Sequence, residues 1–130
     1  MTPFAITVTT PLAFEDAVLA VEAKTAAMGF RVLHVHDVAA TLSEKGFPCE
    51  PLKIVEICNA KYASQILEKD RELALLLPCP ISVYKKTGST YISALLPSSI
   101  AEMYPQAGIE EVANLVEQAI RTIVTQAATP

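Results

Sequence analysis

Residues 52–84 constrain the fold of this chain more than any other stretch. They form a nearly continuous apolar strand ending at Cys58, a helix beginning at Asn59, and a second strand that starts near Cys79. A strand that is apolar throughout is typical of the middle of a sheet, where both faces are covered. The stretch therefore predicts a sheet with a helix packed against it, and it places two of the three cysteines at strand ends.

The remaining segments complete the pattern around this centre. Thr10 and Pro11 have the residue types of a helix start, and Gly29 those of a helix end. The element order predicted from periodicity and turn residues is β-α-β-α-β-α-β-β-α. We therefore predict an α+β fold in a single domain over residues 1–130, with a mostly antiparallel sheet of about five strands packed on one side by helices.

Composition limits the classes of partner. The chain has 130 residues, 52% of them apolar and 18% charged, and its net charge of −4 argues against non-specific nucleic-acid binding. No apolar run approaches the ~20 residues of a membrane span, and the first residues lack the basic and apolar regions of a signal peptide. Three cysteines without framework spacing favour free thiols and a cytoplasmic location. The apolar excess in a chain with little charge predicts a homodimer.

The first candidate site contains Cys58, Asn59 and Cys79. A thiol at a helix start is expected to have a lowered pKa, because backbone N–H groups and the helix dipole stabilise the thiolate. If the two strands are antiparallel neighbours, Cys58 and Cys79 lie at the same end of the sheet, with Cys49 apart. The pair would then serve as a ligand or thiol site. The alternative is that both cysteines pack as small apolar side chains.

Three further side chains extend this site. His34 and His36 are two apart on a strand and are expected to share a face with Val32. They are weak metal-ligand candidates together with Cys58 and Cys79, because no C-x-x-C pair typical of zinc sites occurs. They equally suit the solvent face of an edge strand. No cofactor is indicated.

Glu56 is the last candidate, on the same side of its strand as Cys58. A carboxylate there needs a partner or has a raised pKa. Lys61 or Arg71 is the expected partner.

Several segments together resemble one family. Gly29-Phe30-Arg31-Val32, the segment 37–46, Glu56-Ile57-Cys58-Asn59 and Leu76-Leu77-Pro78-Cys79 are similar to the domain of unknown function 302 family. The chain differs in having Ala60 where the family commonly has proline. The resemblance implies a curved antiparallel sheet with helices against it, similar to the TATA-binding-protein-like architecture, and it implies no established activity.

Three functional hypotheses follow. The first is non-enzymatic binding of a small apolar or thiol-reactive ligand between sheet and helix. The second is a thiol- or metal-dependent redox or metal-handling protein that uses Cys58 and Cys79. The third is a structural homodimer that pairs through a sheet edge or the last helix.

Overall fold

The computed structural model describes residues 3–130, and its centre is a five-stranded sheet in the order β1-β5-β4-β3-β2, antiparallel throughout. The strands are β1 Ala5–Thr10, β2 Arg31–Asp37, β3 Leu52–Cys58, β4 Cys79–Lys86 and β5 Ser89–Leu95. The helices are α1 Phe14–Ala27, α2 Val38–Glu44, α3 Ala60–Lys69, α4 Pro97–Met103 and α5 Glu110–Ala128, with 3₁₀ helices η1 Arg71–Leu76 and η2 Pro105–Ala107. The predicted α+β class is confirmed. The absence of a signal peptide was predicted partly from Met1 and Thr2, which lie outside the described residues.

The two faces of the sheet differ because side chains alternate along each strand. Val55, Ile81 and Ile92 are fully buried on the face that packs against α1 and α5. We call the opposite surface of the sheet the open face. One row that crosses it consists of directly paired residues, one per strand: Thr7, Ser93, Ser82, Ile54 and His36. Helices therefore lie on one side of the sheet, as predicted.

In the hairpin β4–β5, Val83 pairs with Ile92 and Tyr84 with Tyr91. Ile81 and Val83 face the helices together with Ile92, whereas Tyr91 and Ser93 lie on the open face. The aliphatic side chains take the buried face, because their transfer out of water contributes most to the stability of the fold.

The prediction that Val32 shares a face of the sheet with His34 and His36 is wrong. The pairing of β2 with β3 shifts between Val32 and His34, so that Val32 pairs with Ile57 and Val35 with Val55, both on the helix side. A β-bulge adds one residue to one strand and reverses the alternation beyond it. The two histidines consequently lie on the face opposite to Val32.

The start of the first helix also differs from the prediction. Helix α1 begins at Phe14, after the N-cap Ala13, three residues beyond Pro11. Thr10 does not cap it, because its hydroxyl donates a 2.8 Å hydrogen bond to the Ala128 carbonyl and accepts from the Leu12 amide. Thr10 therefore connects β1 to the end of α5. Across residues 3–130, none of the helices combines the length and the apolar character that a membrane crossing needs.

Candidate functional site

Cys58 and Cys79 lie at the same end of the sheet. Strands β3 and β4 are antiparallel neighbours, and Cys79 pairs with Ile57, next to Cys58. Cys49 lies apart, beside Leu52 and Lys53 in the segment that leads into β3. The predicted neighbourhood of the two thiols is confirmed, because the antiparallel arrangement brings the end of one strand to the start of the next.

Cys79 faces an apolar cavity between the sheet and the helices. This cavity, which we call the Cys79 cleft, measures about 30 Å³. Its lining comes from the ends of β4 and β5 and from α3, η1, α4 and α5, and includes Ile66, Leu77, Cys79, Leu95, Ile100 and Val116. A second cavity of about 10 Å³ adjoins it and is lined by Cys58 and Tyr62 as well as Cys79. Among the described residues, the cleft lining carries no charged side chain.

Burial dominates the electrostatics of both thiols. It raises the pKa of the Cys79 thiol from 9.0 to about 11, and the neighbouring Cys58 adds to the rise. Burial also raises the pKa of the Cys58 thiol. The expected lowering at the helix start is therefore wrong: water is withdrawn from the thiol, which disfavours the thiolate. Both cysteines are protonated at neutral pH.

Asn59 explains why the helix start does not activate Cys58. The Asn59 Oδ1 atom accepts a 3.1 Å hydrogen bond from the Tyr62 amide, and its Nδ2 atom donates a 3.2 Å bond to the Gly29 carbonyl. The side chain thus takes one of the free amides at the start of α3 and ties that helix to the turn between α1 and β2. These contacts give Asn59 a structural role.

Glu56 and the histidines form a separate group on the open face. The His36 Nε2 atom lies 3.0 Å from Glu56 Oε1, and the rings of His34 and His36 meet edge to face with centroids 4.3 Å apart. Glu56 therefore pairs with His36, and the expectation of Lys61 or Arg71 as its partner is wrong. Cross-strand pairing placed it there, since Glu56 is flanked by β2 in the sheet.

The weak metal-ligand set is divided by the sheet. Cys79 packs against the core on the helix side, whereas His34 and His36 lie on the open face. Within residues 3–130 no group of three or more His, Cys, Asp or Glu side chains is arranged to hold a metal ion.

Two tethers beside the cleft were missed by the sequence analysis. The Tyr104 hydroxyl donates a 3.0 Å hydrogen bond to Asp70 Oδ2, while Asp70 Oδ1 caps η1 by accepting from the Glu72 amide. At the other end of α4, the Ser98 amide donates a 3.0 Å bond to Glu117 Oε1 on α5. Each tether joins residues far apart in the chain, so no local sequence pattern predicts it. The local signal in this region is Pro97, a residue typical of a helix start, at the beginning of α4.

Comparisons with known proteins agree on one family. The family model described as "Domain of unknown function DUF302" matches residues 6–127. The chain is similar to a solved structure, an uncharacterized conserved protein DUF302 from Bacillus stearothermophilus, at 26% sequence identity and a TM-score of 0.91. The match covers 97% of this chain and 99% of that one. A search of curated proteins gave no match.

Proposed function

Because the chain belongs to the family of domain of unknown function DUF302, whose name carries no activity, we propose its function from its own cleft: it binds a small apolar molecule there without catalysing a reaction. The observation that carries this proposal is an uncharged cavity enclosed between sheet and helices. Ligand sites are concave and mostly apolar, with few polar groups. Cys79 is the polar group that the cleft offers, and as a thiol it also suits a thiol-reactive ligand.

Binding requires the cleft to open. A space of about 30 Å³ holds no more than a water-sized molecule. The elements above it are short, since η1 has six residues and α4 has seven, and short elements open at low free-energy cost. Leu75 on η1 is 90% exposed and Met103 on α4 is 79% exposed, so both elements have little packing on their outer sides. We call η1 and α4 together the roof of the cleft.

Val116 allows a direct test. It is buried on α5 and lines both cavities, whereas Val124 is equally buried on the same helix but lines neither. Truncating Val116 to alanine enlarges the cleft, and apolar cavities of sufficient size bind benzene. We expect benzene and 1-hexanol to shift amide signals of the roof in the wild type and to bind more tightly to Val116→Ala, with Val124→Ala unchanged. No shift at the cleft in either wild type or Val116→Ala would overturn the proposal.

A redox pair is the second candidate. Cys58 and Cys79 line the same small cavity, and oxidation by diamide would join the two sulfurs while diamide takes up two electrons and two protons. Cys79 pairs with Ile57, and Cys58 is the next residue along β3. Because neighbouring residues of a strand point to opposite faces of the sheet, this arrangement opposes a disulfide. The test is mass spectrometry after diamide treatment, with Cys58→Ser and Cys79→Ser as controls. A wild type that loses no hydrogens and yields no peptide linking Cys58 to Cys79 excludes this function.

Self-association is a further proposal. The chain combines an apolar content of 52% with only 18% charged residues, and the apolar surface that results in a domain of this size favours association. We propose a homodimer. Light scattering that gives the 14.0 kDa chain mass at all concentrations would contradict it.

The free thiols support a cytoplasmic location as part of the same proposal.

A further inference from the structure

We infer that the open face of the sheet is the surface through which two copies of this chain associate. This inference rests on the proposed self-association and names its surface. The open face is the side of the sheet away from α1 and α5, with Ser82 on the middle strand β4 and in the middle of its row. Ser82 therefore marks the geometric centre of the face.

The composition of the face is that of an interface. Tyr84 and Tyr91 stack at its centre with ring centroids 5.5 Å apart, and the Ser93 hydroxyl is hydrogen-bonded to Thr7 at 2.8 Å and to Tyr84 at 3.1 Å. Hydroxyl groups that are hydrogen-bonded to one another within the face need fewer hydrogen bonds from water. Tyrosine is enriched at protein interfaces, and charged residues are depleted from interface centres.

Apart from Glu56, which lies on β3 beside the central strand, the charges of the face lie towards its margins. Arg31 begins β2 and Lys86 ends β4, which places them at opposite ends of the sheet. Towards β2, Glu56 is paired with His36. A chain with a net charge of −4 repels its own copies, and self-association requires a surface on which like charges do not meet. The centre of the open face meets that requirement.

The area suits a dimer. Five strands spaced ~4.8 Å apart and about six residues long cover about 24 Å by 20 Å, or about 480 Å² of flat surface per copy. Two copies contribute about 1,000 Å² before side-chain relief is counted, which is close to the ~1,200–2,000 Å² buried in stable complexes. Two such faces pack ~10 Å apart, as in a β-sandwich.

The other two surfaces expected for a dimer are less suitable. Strand β2 forms one sheet edge and contains the bulge between Val32 and His34, and bulges oppose edge-to-edge pairing. Helix α5 directs Val116, Ile120 and Ile123 into its own core. The open face is the more continuous surface, and a two-fold axis near Ser82 would close the assembly at two copies.

A charge at the centre of the face tests the inference. Ser82→Lys places two lysines against each other across the two-fold axis, and like charges that meet at an interface disfavour association. Ser43→Lys is the matched control, because Ser43 is exposed on α2 and borders the same cavity as Phe14 and Glu15 of α1, on the helix side of the sheet. Thr7→Glu on the exposed edge of the face is the second variant, and circular dichroism confirms that each protein is folded.

We expect analytical ultracentrifugation to give a dimer for the wild type and Ser43→Lys. Ser82→Lys and Thr7→Glu should dissociate more readily, with a dissociation constant raised at least about tenfold for Ser82→Lys. A wild type that is a monomer overturns both the proposed self-association and this inference. A dimer that persists unchanged in folded Ser82→Lys or folded Thr7→Glu overturns only the choice of surface.

Discussion

Tyr104 and Asp70 are joined by a 3.0 Å hydrogen bond that ties the end of α4 to the start of η1 beside the Cys79 cleft. This bond and the negative charge of Asp70 raise the pKa of the Tyr104 hydroxyl. The two residues are 34 positions apart, and the tether connects the two elements of the roof. Its strength therefore governs how readily the roof opens.

We predict that Tyr104→Phe speeds amide hydrogen exchange in α4 and η1, because the variant keeps the ring and removes the donor. Tyr91→Phe is the matched control, since Tyr91 lies on the open face. Asp70→Asn should lower the pKa of Tyr104 towards its ordinary value in a spectrophotometric titration. Unchanged exchange in Tyr104→Phe would show that the roof is held by packing alone.

The buried thiol of Cys79 predicts a loss of stability at alkaline pH. Its pKa is raised to about 11 in the folded chain from 9.0, so the unfolded chain releases this proton first. The resulting stability is complete below pH 9.0 and is lost as the pH rises towards about 11, amounting to roughly 2–3 kcal/mol.

Urea unfolding between pH 8.5 and pH 11 measures this effect. The wild type and Cys49→Ala should lose more stability over that range than Cys79→Ala, which lacks the titrating group. The size of the cavity left by the alanine shifts the whole curve and leaves its slope unaffected. Equal slopes in all three proteins would contradict the prediction.

Glu117 predicts the opposite response, at acidic pH. Burial alone would raise the pKa of its carboxyl group, but hydrogen bonds from Ser98 and Arg121 outweigh burial and lower that pKa from 4.5. The carboxylate therefore stabilises the fold above pH 4.5, and this contribution is lost as the pH falls through the lowered value. We expect Glu117→Gln to flatten the decline in melting temperature below pH 4.5. Glu111→Gln, an exposed change on the same helix, should decline as the wild type does.

The turn between β4 and β5 offers a stabilising substitution. Thr87 and Gly88 are the two loop residues, with φ values of 53° and 84°, and two positive φ values are the mark of a type I′ turn. A β-branched residue is strained there, whereas Asn-Gly is the favoured pair. Thr87→Asn should raise the free energy of unfolding by about 1 kcal/mol. Ser89→Asn, at the first strand position after the turn, should bring no gain.

Much of the architecture was readable from local pattern. The strand that ends at Cys58, the helix that follows Asn59 and the end of the first helix at Gly29 each depend on residues close together in the chain, and each was predicted. The placement of Cys79 beside Cys58 was also predicted, since the sheets of α+β folds are mostly antiparallel. Local rules suffice where a few adjacent residues decide the backbone conformation.

The features that only the tertiary structure decided depend on residues far apart in the chain, or on two side chains that compete for the same hydrogen-bonding group. The bulge in β2 set the face of the histidines, and cross-strand pairing gave Glu56 the partner His36. Burial in the folded chain raised the pKa of Cys79, and the Asn59 side chain took an amide expected to stabilise the Cys58 thiolate. Solvation and pairing depend on what the whole chain brings to a point in space, whereas a sequence pattern records only what is adjacent along it.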